Sequence, residues 1–319
     1  MEHRVWIASV AIILLAAASP DPPDTTRGLA WAYPVGPETP LPAAPKGVVA
    51  PGSKVRPGEA DEAAGPIDWF PQEHPPAPDV VALTTKGGPT PCAECHLYDG
   101  HGFAGSADIA GLRAEYIVEQ VKSFRSGERT SSQKPDRFDT TEMIKEARQV
   151  SDPDLARAAA WFAALPRRRF VRVVETDSVP VTRPSFFGWL DLEPTYGKEP
   201  IAGRIIELPE DPARMFLGDP HNGLVDYVPP GAVGRGAALV ETGGPGRQPC
   251  EICHGTGLKG GEAAPPLAGR SAAYLARMLW DFKTGARGGP TAAQMQAPAH
   301  PLSEAQITDI VAYLASLPP

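Results

Sequence analysis

Cysteine is scarce in this 319-residue chain: there are four in total, beside seven histidines and five methionines. Four thiols can close two disulfides or hold one tetrahedral zinc. Positive charge is also short. Lys and Arg number 30 against 38 Asp and Glu, a net charge of −8. That balance offers no basic footprint for nucleic acid and suits steering toward a positively charged partner. No apolar run reaches the ~20 residues of a membrane-spanning helix. One shorter run, Val5 to Ala18, follows Arg4 and ends in Ala16-Ala17-Ala18. It reads as an export signal over residues 1–18 with a small-residue cleavage site, an uncleaved anchor being the alternative. Export places the chain in the periplasm or on the outer face of the membrane.

What is present is concentrated in two pentapeptides. Cys92-Ala-Glu-Cys95-His96 and Cys250-Glu-Ile-Cys253-His254 use every cysteine of the chain. Disulfides and zinc account for the thiols but not for a histidine directly after each pair. Covalent haem accounts for both: two thiols add to the porphyrin vinyl groups, and the histidine becomes the proximal iron ligand. The expected cofactors are two haem c groups.

The pentapeptides belong to an internal repeat. A shift of 158 residues sets Cys92 on Cys250, His96 on His254, Gly111 on Gly269, Tyr116 on Tyr274, Phe124 on Phe282 and Arg129 on Arg287. The offset then falls to 152, because the first copy carries six extra residues around Thr130–Asp139, a polar loop. At that offset Met143 meets Met295 and Ser151 meets Ser303. Leu112, Tyr116, Ile117, Val121 and Phe124 recur at helical spacing, as do Tyr274, Leu275, Met278, Leu279 and Phe282. Ser303 with Gln306 predicts a capping box for the last helix. Ser151 caps its counterpart, with Pro153 tolerated in the first turn.

Residues 19–78 hold much proline and glycine and little apolar periodicity. They predict an extended, mostly disordered arm, with Trp69-Phe70 as the point of contact if it folds back. Residues 167–235 separate the repeats and are too long for a bare linker. Val171–Thr176 and Arg204–Leu208 are strand-like there. The expected domains are 79–166 and 236–319.

The far side of each iron needs a ligand or a vacancy. Met143 and Met295 each lie eight residues before the cap of a final helix, where a loop can lower a thioether onto the haem. Met278 and Met215 read as packing. His300 and His101 are competing ligands; His74 and His221 lie outside the repeats and read as solvated. Pro265-Pro266-Leu267 is placed to offer a carbonyl to His254, and Ala107-Asp108-Ile109 takes that place in the first copy. Tyr116, Tyr274, Arg129 and Arg287 are candidates for the propionates.

Taken in order, Cys-x-x-Cys-His, Ile/Leu-Ala-Gly, Tyr, Phe-x-x-Gly-x-Arg, Met and the closing Leu-Pro helix resemble class I cytochrome c, and their duplication resembles the di-haem, cytochrome c4-like group. The resemblance covers residues 79–166 and 236–319. It implies a mainly all-α fold of two tandem haem domains, joined by a segment with some β structure. It also implies cofactor binding by Cys92, Cys95, His96 and Met143 at one haem and by Cys250, Cys253, His254 and Met295 at the other. The iron ligands would be His96, Met143, His254 and Met295. The expected function is one-electron carriage in a respiratory chain. A quinol-oxidising membrane complex or periplasmic dehydrogenase would be the donor, and a terminal oxidase the acceptor. A di-haem peroxidase, a sulfur-compound oxidase or a cytochrome subunit of a membrane complex is the alternative.

Overall fold

Two stretches of chain repeat the same order of helices. A computed structural model describes residues 28–33, 65–133, 138–185, 190–192, 197–244, 247–262 and 264–319. In the first stretch α1 (Asp79–Ala82) leads into a single turn α2 (Cys92–His96), then α3 (Ala114–Ser126), α4 (Phe138–Gln149) and α5 (Asp152–Ala163). The inserted segment forms β1 (Val171–Glu175), β2 (Ser178–Pro180), β3 (Thr182–Pro184), β4 (Leu190–Leu192), β5 (Lys198–Pro200), β6 (Ile206–Pro209), α6 (Pro212–Phe216) and β7 (Leu224–Val228). The second stretch is α7 (Ala232–Thr242), α8 (Glu251–His254), α9 (Ala272–Thr284), α10 (Ala293–Ala299) and α11 (Glu304–Ser316). About 41% of the structure is helical, with some strands.

Local signals account for the helix ends. Ser151 accepts from the Asp154 N–H. Ser303 accepts from the Gln306 N–H while the Gln306 side chain accepts from the Ser303 N–H, a complete capping box. Gly127 and Gly285, equivalent in the repeat, close α3 and α9 in left-handed conformation at φ 81 and 79. Helix α7 starts at Ala232, after the left-handed Gly231 of the Pro229-Pro230-Gly231 turn. The expected boundary at 235/236 therefore falls inside a helix. Helices α7 and α11 cross closely at Gly236, where a Cβ would lie 1.9 Å from the Asp309 carbonyl oxygen.

The insert builds a three-stranded sheet of order β1-β7-β6, with β1 parallel and β6 antiparallel to β7. Two short antiparallel ladders, β2–β5 and β3–β4, stand beside it. Val171 and Leu224 of the sheet join the core of α9 and α11, with Ile307, Ile310 and Leu314. The insert is thus built onto the second helical unit.

The arm differs from its expected state wherever it is described. Leu29, Trp31, Ala32 and Tyr33 are buried in that same core. Trp31 meets Trp280 edge to face at 6.1 Å, and its carbonyl accepts from the Ile205 N–H. Trp69 is buried and its indole N–H donates to the Leu217 carbonyl. Burying two indoles offsets the ordering of these short runs. Residues 1–18, expected as a signal, and 34–64 lie outside the described residues. Among the described residues, no helix is long and apolar enough to cross a membrane.

Candidate functional site

Each pentapeptide forms one helical turn, which places the two cysteines and the histidine on neighbouring positions of one face. After it the chain reverses through Leu97 (φ 58, ψ 169) in the first copy and Gly255 (φ 75, ψ 167) in the second. That region belongs to glycine. Leu97 holds it while buried, at a cost of about 1–3 kcal/mol.

The loop that follows returns a carbonyl to each imidazole. His96 Nδ1 lies 2.9 Å from the Ala107 oxygen, and His254 Nδ1 lies 2.8 Å from the Pro265 oxygen. Both acceptors lie eleven residues past their histidine. The first copy thus forms the same contact without proline, because a carbonyl needs no particular side chain. Burial lowers the pKa of both histidines, against the hydrogen bond to the carbonyl. Each ring is therefore neutral, with Nδ1–H donating and an Nε2 lone pair available. His254 Nε2 is buried with no hydrogen-bond partner.

No disulfide joins Cys92, Cys95, Cys250 and Cys253. Among the described residues no group of three or more His, Cys, Asp or Glu is arranged to hold a metal ion, which leaves the zinc alternative without a site. Burial pushes the Cys92 thiol up to about 12 and raises Cys250 as well. The donor set fits haem c: paired thiols, and a neutral imidazole whose free nitrogen lacks a protein partner.

Met143 lies on α4 and Met295 on α10, each half-buried on the helix before the last and not in a loop as expected. Met143 packs beside Val121, Phe124 and Leu155. Met278 is buried, and its sulfur accepts from Arg129 Nη2 at 3.3 Å. Met215 is buried in the second unit's core. His101 is committed elsewhere: Nδ1 meets Asp99 at 2.7 Å and Nε2 accepts from the Arg168 N–H at 3.3 Å. His74 and His221 are not simply solvated. His74 stacks on Tyr98 and bonds Asp68, and His221 stacks on Phe70 and bonds Glu73.

The four propionate candidates gather where the two units meet. Arg129 and Arg287 pair as an antiparallel bridge, flanked by bonds from the Thr130 N–H to the Ala286 carbonyl and from the Gly288 N–H to the Glu128 carbonyl. Arg287 donates to the Tyr116 hydroxyl at 2.7 Å, and Arg129 bonds Tyr274 in return. Gln120 accepts from both guanidiniums. The first copy's extra loop also crosses over: the Ser132 N–H and hydroxyl both donate to Asp281. Arg270 and Arg277 add two more buried cations. Burial and the charge of Arg287 lower Arg129 to about 10. So dense a cluster of cations suits carboxylate groups. Arg270 and Arg277 escaped the repeat comparison because the equivalent positions hold Leu112 and Glu119.

Known proteins place these features. The cytochrome c family profile matches residues 234–318. A thiosulfate dehydrogenase electron acceptor of Stutzerimonas stutzeri (strain A1501) is 25% identical over 250 residues, 76% of this chain and 87% of that protein. Cytochrome c4 of Azotobacter vinelandii is 24% identical over 240 residues, 74% of this chain and 89% of that one. Cytochrome c-554(548) of Halomonas halodenitrificans (strain ATCC 12084 / NCIMB 8669) is 41% identical over 68 residues, 21% of this chain and 82% of that one.

Proposed function

The chain belongs to the cytochrome c family as a c4-like member with two covalently attached haem c groups, and from that premise we propose that it is a periplasmic di-haem carrier that passes electrons one at a time between redox proteins. Each haem iron supplies exchange between ferrous and ferric states without bond making. The chain's part is to hold, bury and tune. Cys92 and Cys95 anchor one haem and Cys250 and Cys253 the other, in two tandem cytochrome c-like domains. His96 and His254 present Nε2 to the iron. The Ala107 and Pro265 carbonyls fix each ring and keep the proton on Nδ1, which sets ligand basicity. Met143 and Met295 would supply the remaining iron ligands. With thioethers bound there, neither iron would be open to substrate, and the chain would act as a carrier and not as an enzyme. The observation that carries this reading is the repeated pair of buried neutral imidazoles, each tied to a carbonyl eleven residues on.

The donor proposed is a periplasmic dehydrogenase, supported by the S. stutzeri relative's name as the electron acceptor of one. A quinol-oxidising complex is the other donor and a terminal oxidase the acceptor. A potentiometric titration followed by absorbance tests the reading. Two one-electron waves and no carbon monoxide binding to the reduced protein are expected. Ready carbon monoxide binding would mean an open iron and overturn the carrier assignment.

A further inference from the structure

Arg270 is placed where it touches both proximal loops. Its guanidinium is 3% exposed. Nε donates to the Pro266 carbonyl at 2.7 Å. Nη1 donates to the Asp108 carbonyl and lies 3.2 Å from the Asp108 carboxylate. Pro266 and Asp108 are equivalent residues under the 158-residue shift, and each directly follows the carbonyl that receives a histidine Nδ1–H. One guanidinium from the second unit therefore spans the loops that orient His96 and His254. Arg277 supports the same crossing, donating to the Gly105 carbonyl at 2.9 Å from a helix of the second unit.

The repeat alone would not produce this. The first copy has Leu112 at the equivalent place, packed in its own core. The two copies differ at this position, and only the second supplies the strut. Burying such a cation has a large cost unless it is paired and hydrogen-bonded. The two carbonyls and Asp108 meet that cost in part. Nη2 has no partner in the described structure.

We propose that Arg270 is a positioning residue for both proximal histidines, coupling the two redox centres through their loops. This rests on the di-haem carrier reading. Its positive charge lies close to both imidazole–carbonyl pairs in a low-dielectric interior, where it disfavours the ferric state at each iron. Asp108 offsets that charge on the first side only, since Pro266 carries no carboxylate.

The experiment is a potentiometric titration of the holoprotein and three variants, with paramagnetically shifted NMR signals of the two histidine rings. Arg270→Gln is expected to lower both waves, each by about tenfold in its reduction equilibrium, or 59 mV for one electron, and to move both ring Nδ1–H signals. Arg270→Lys keeps the charge but cannot reach both carbonyls; it should hold the mean potential while the ring signals still move. Asp108→Asn keeps both backbone contacts and removes one buried negative charge; it should raise the first wave alone. This variant keeps the idea testable if Arg270→Gln does not fold. The inference fails if Arg270→Gln shifts one wave or neither in a folded protein, or if Asp108→Asn moves both waves equally. A wild-type protein without two one-electron waves would overturn the carrier reading itself, and this inference with it.

Discussion

The two helical units share an order of helices and the loops that hold their histidines, and differ in what surrounds them. The copies agree in the one-turn pentapeptide, the carbonyl eleven residues on, and the tyrosine–arginine pair at the junction. Away from these features they part. The first unit reverses its chain through a strained Leu97, the second through Gly255. The second alone carries a sheet and the buried Leu29–Tyr33 run. Coordination chemistry constrains a few atoms, and packing around them is free to be rebuilt.

Substitutions can break that comparison or sharpen it. The largest effect is expected at the assigned methionines. Met143→Ala and Met295→Ala should each remove about half of the red absorption band given by sulfur bound to ferric iron; a loss of the whole band from one variant would break the equivalence. Next comes Trp31→Ala. Removing this buried indole should cost about 3–5 kcal/mol, and chemical denaturation should show the second unit unfolding first. If both units unfold together, the arm supports the molecule as a whole.

A pH effect should also belong to the second side alone. Asp226 of β7 faces Glu207 of β6, accepts from the Ala272 N–H, and has no exposure. Burial, then the neighbouring Glu207, raises the Asp226 carboxyl well above 3.8. The folded state then keeps a proton that the unfolded chain releases above that value. Stability from this pair is therefore fullest below pH 3.8 and falls as pH rises toward the folded value. Asp226→Asn keeps an acceptor for Ala272 and should flatten that fall, read as melting temperature against pH. The smallest effect is expected at the caps. Ser151→Ala and Ser303→Ala should each cost about 1 kcal/mol, with Ser151 the larger because its hydroxyl both accepts from the Asp154 N–H and donates to the Asp154 carboxylate.

Much of this was legible in the residues. Apolar spacing gave α3, α9 and α11, and β-branched content gave β1 and most of β6. Two features were hidden for physical reasons. The Pro265 acceptor of His254 was expected, but its Ala107 counterpart for His96 was less visible, because the acceptor is a backbone atom and no side chain announces it. Arg270 lies within the repeat where the first copy has Leu112, so a comparison that keeps only shared residues discards it. The arm did carry a signal: Leu29-Ala-Trp31-Ala-Tyr33 is an apolar run inside a proline-rich stretch. Composition averaged over sixty residues hid it. Met143 and Met295 stand at the expected distance from the final cap, but on helices, with Pro298 accommodated inside the short α10.

The antiparallel meeting of Arg129 with Arg287 gives the molecule the plan of a homodimer fused into one polypeptide. Two separate chains would need an interface strong enough to find each other from solution. Here tethering supplies an effective local concentration in the millimolar range for short linkers. Weak contacts across the junction therefore suffice to keep the halves together. Its residues are released from the duty of adhesion.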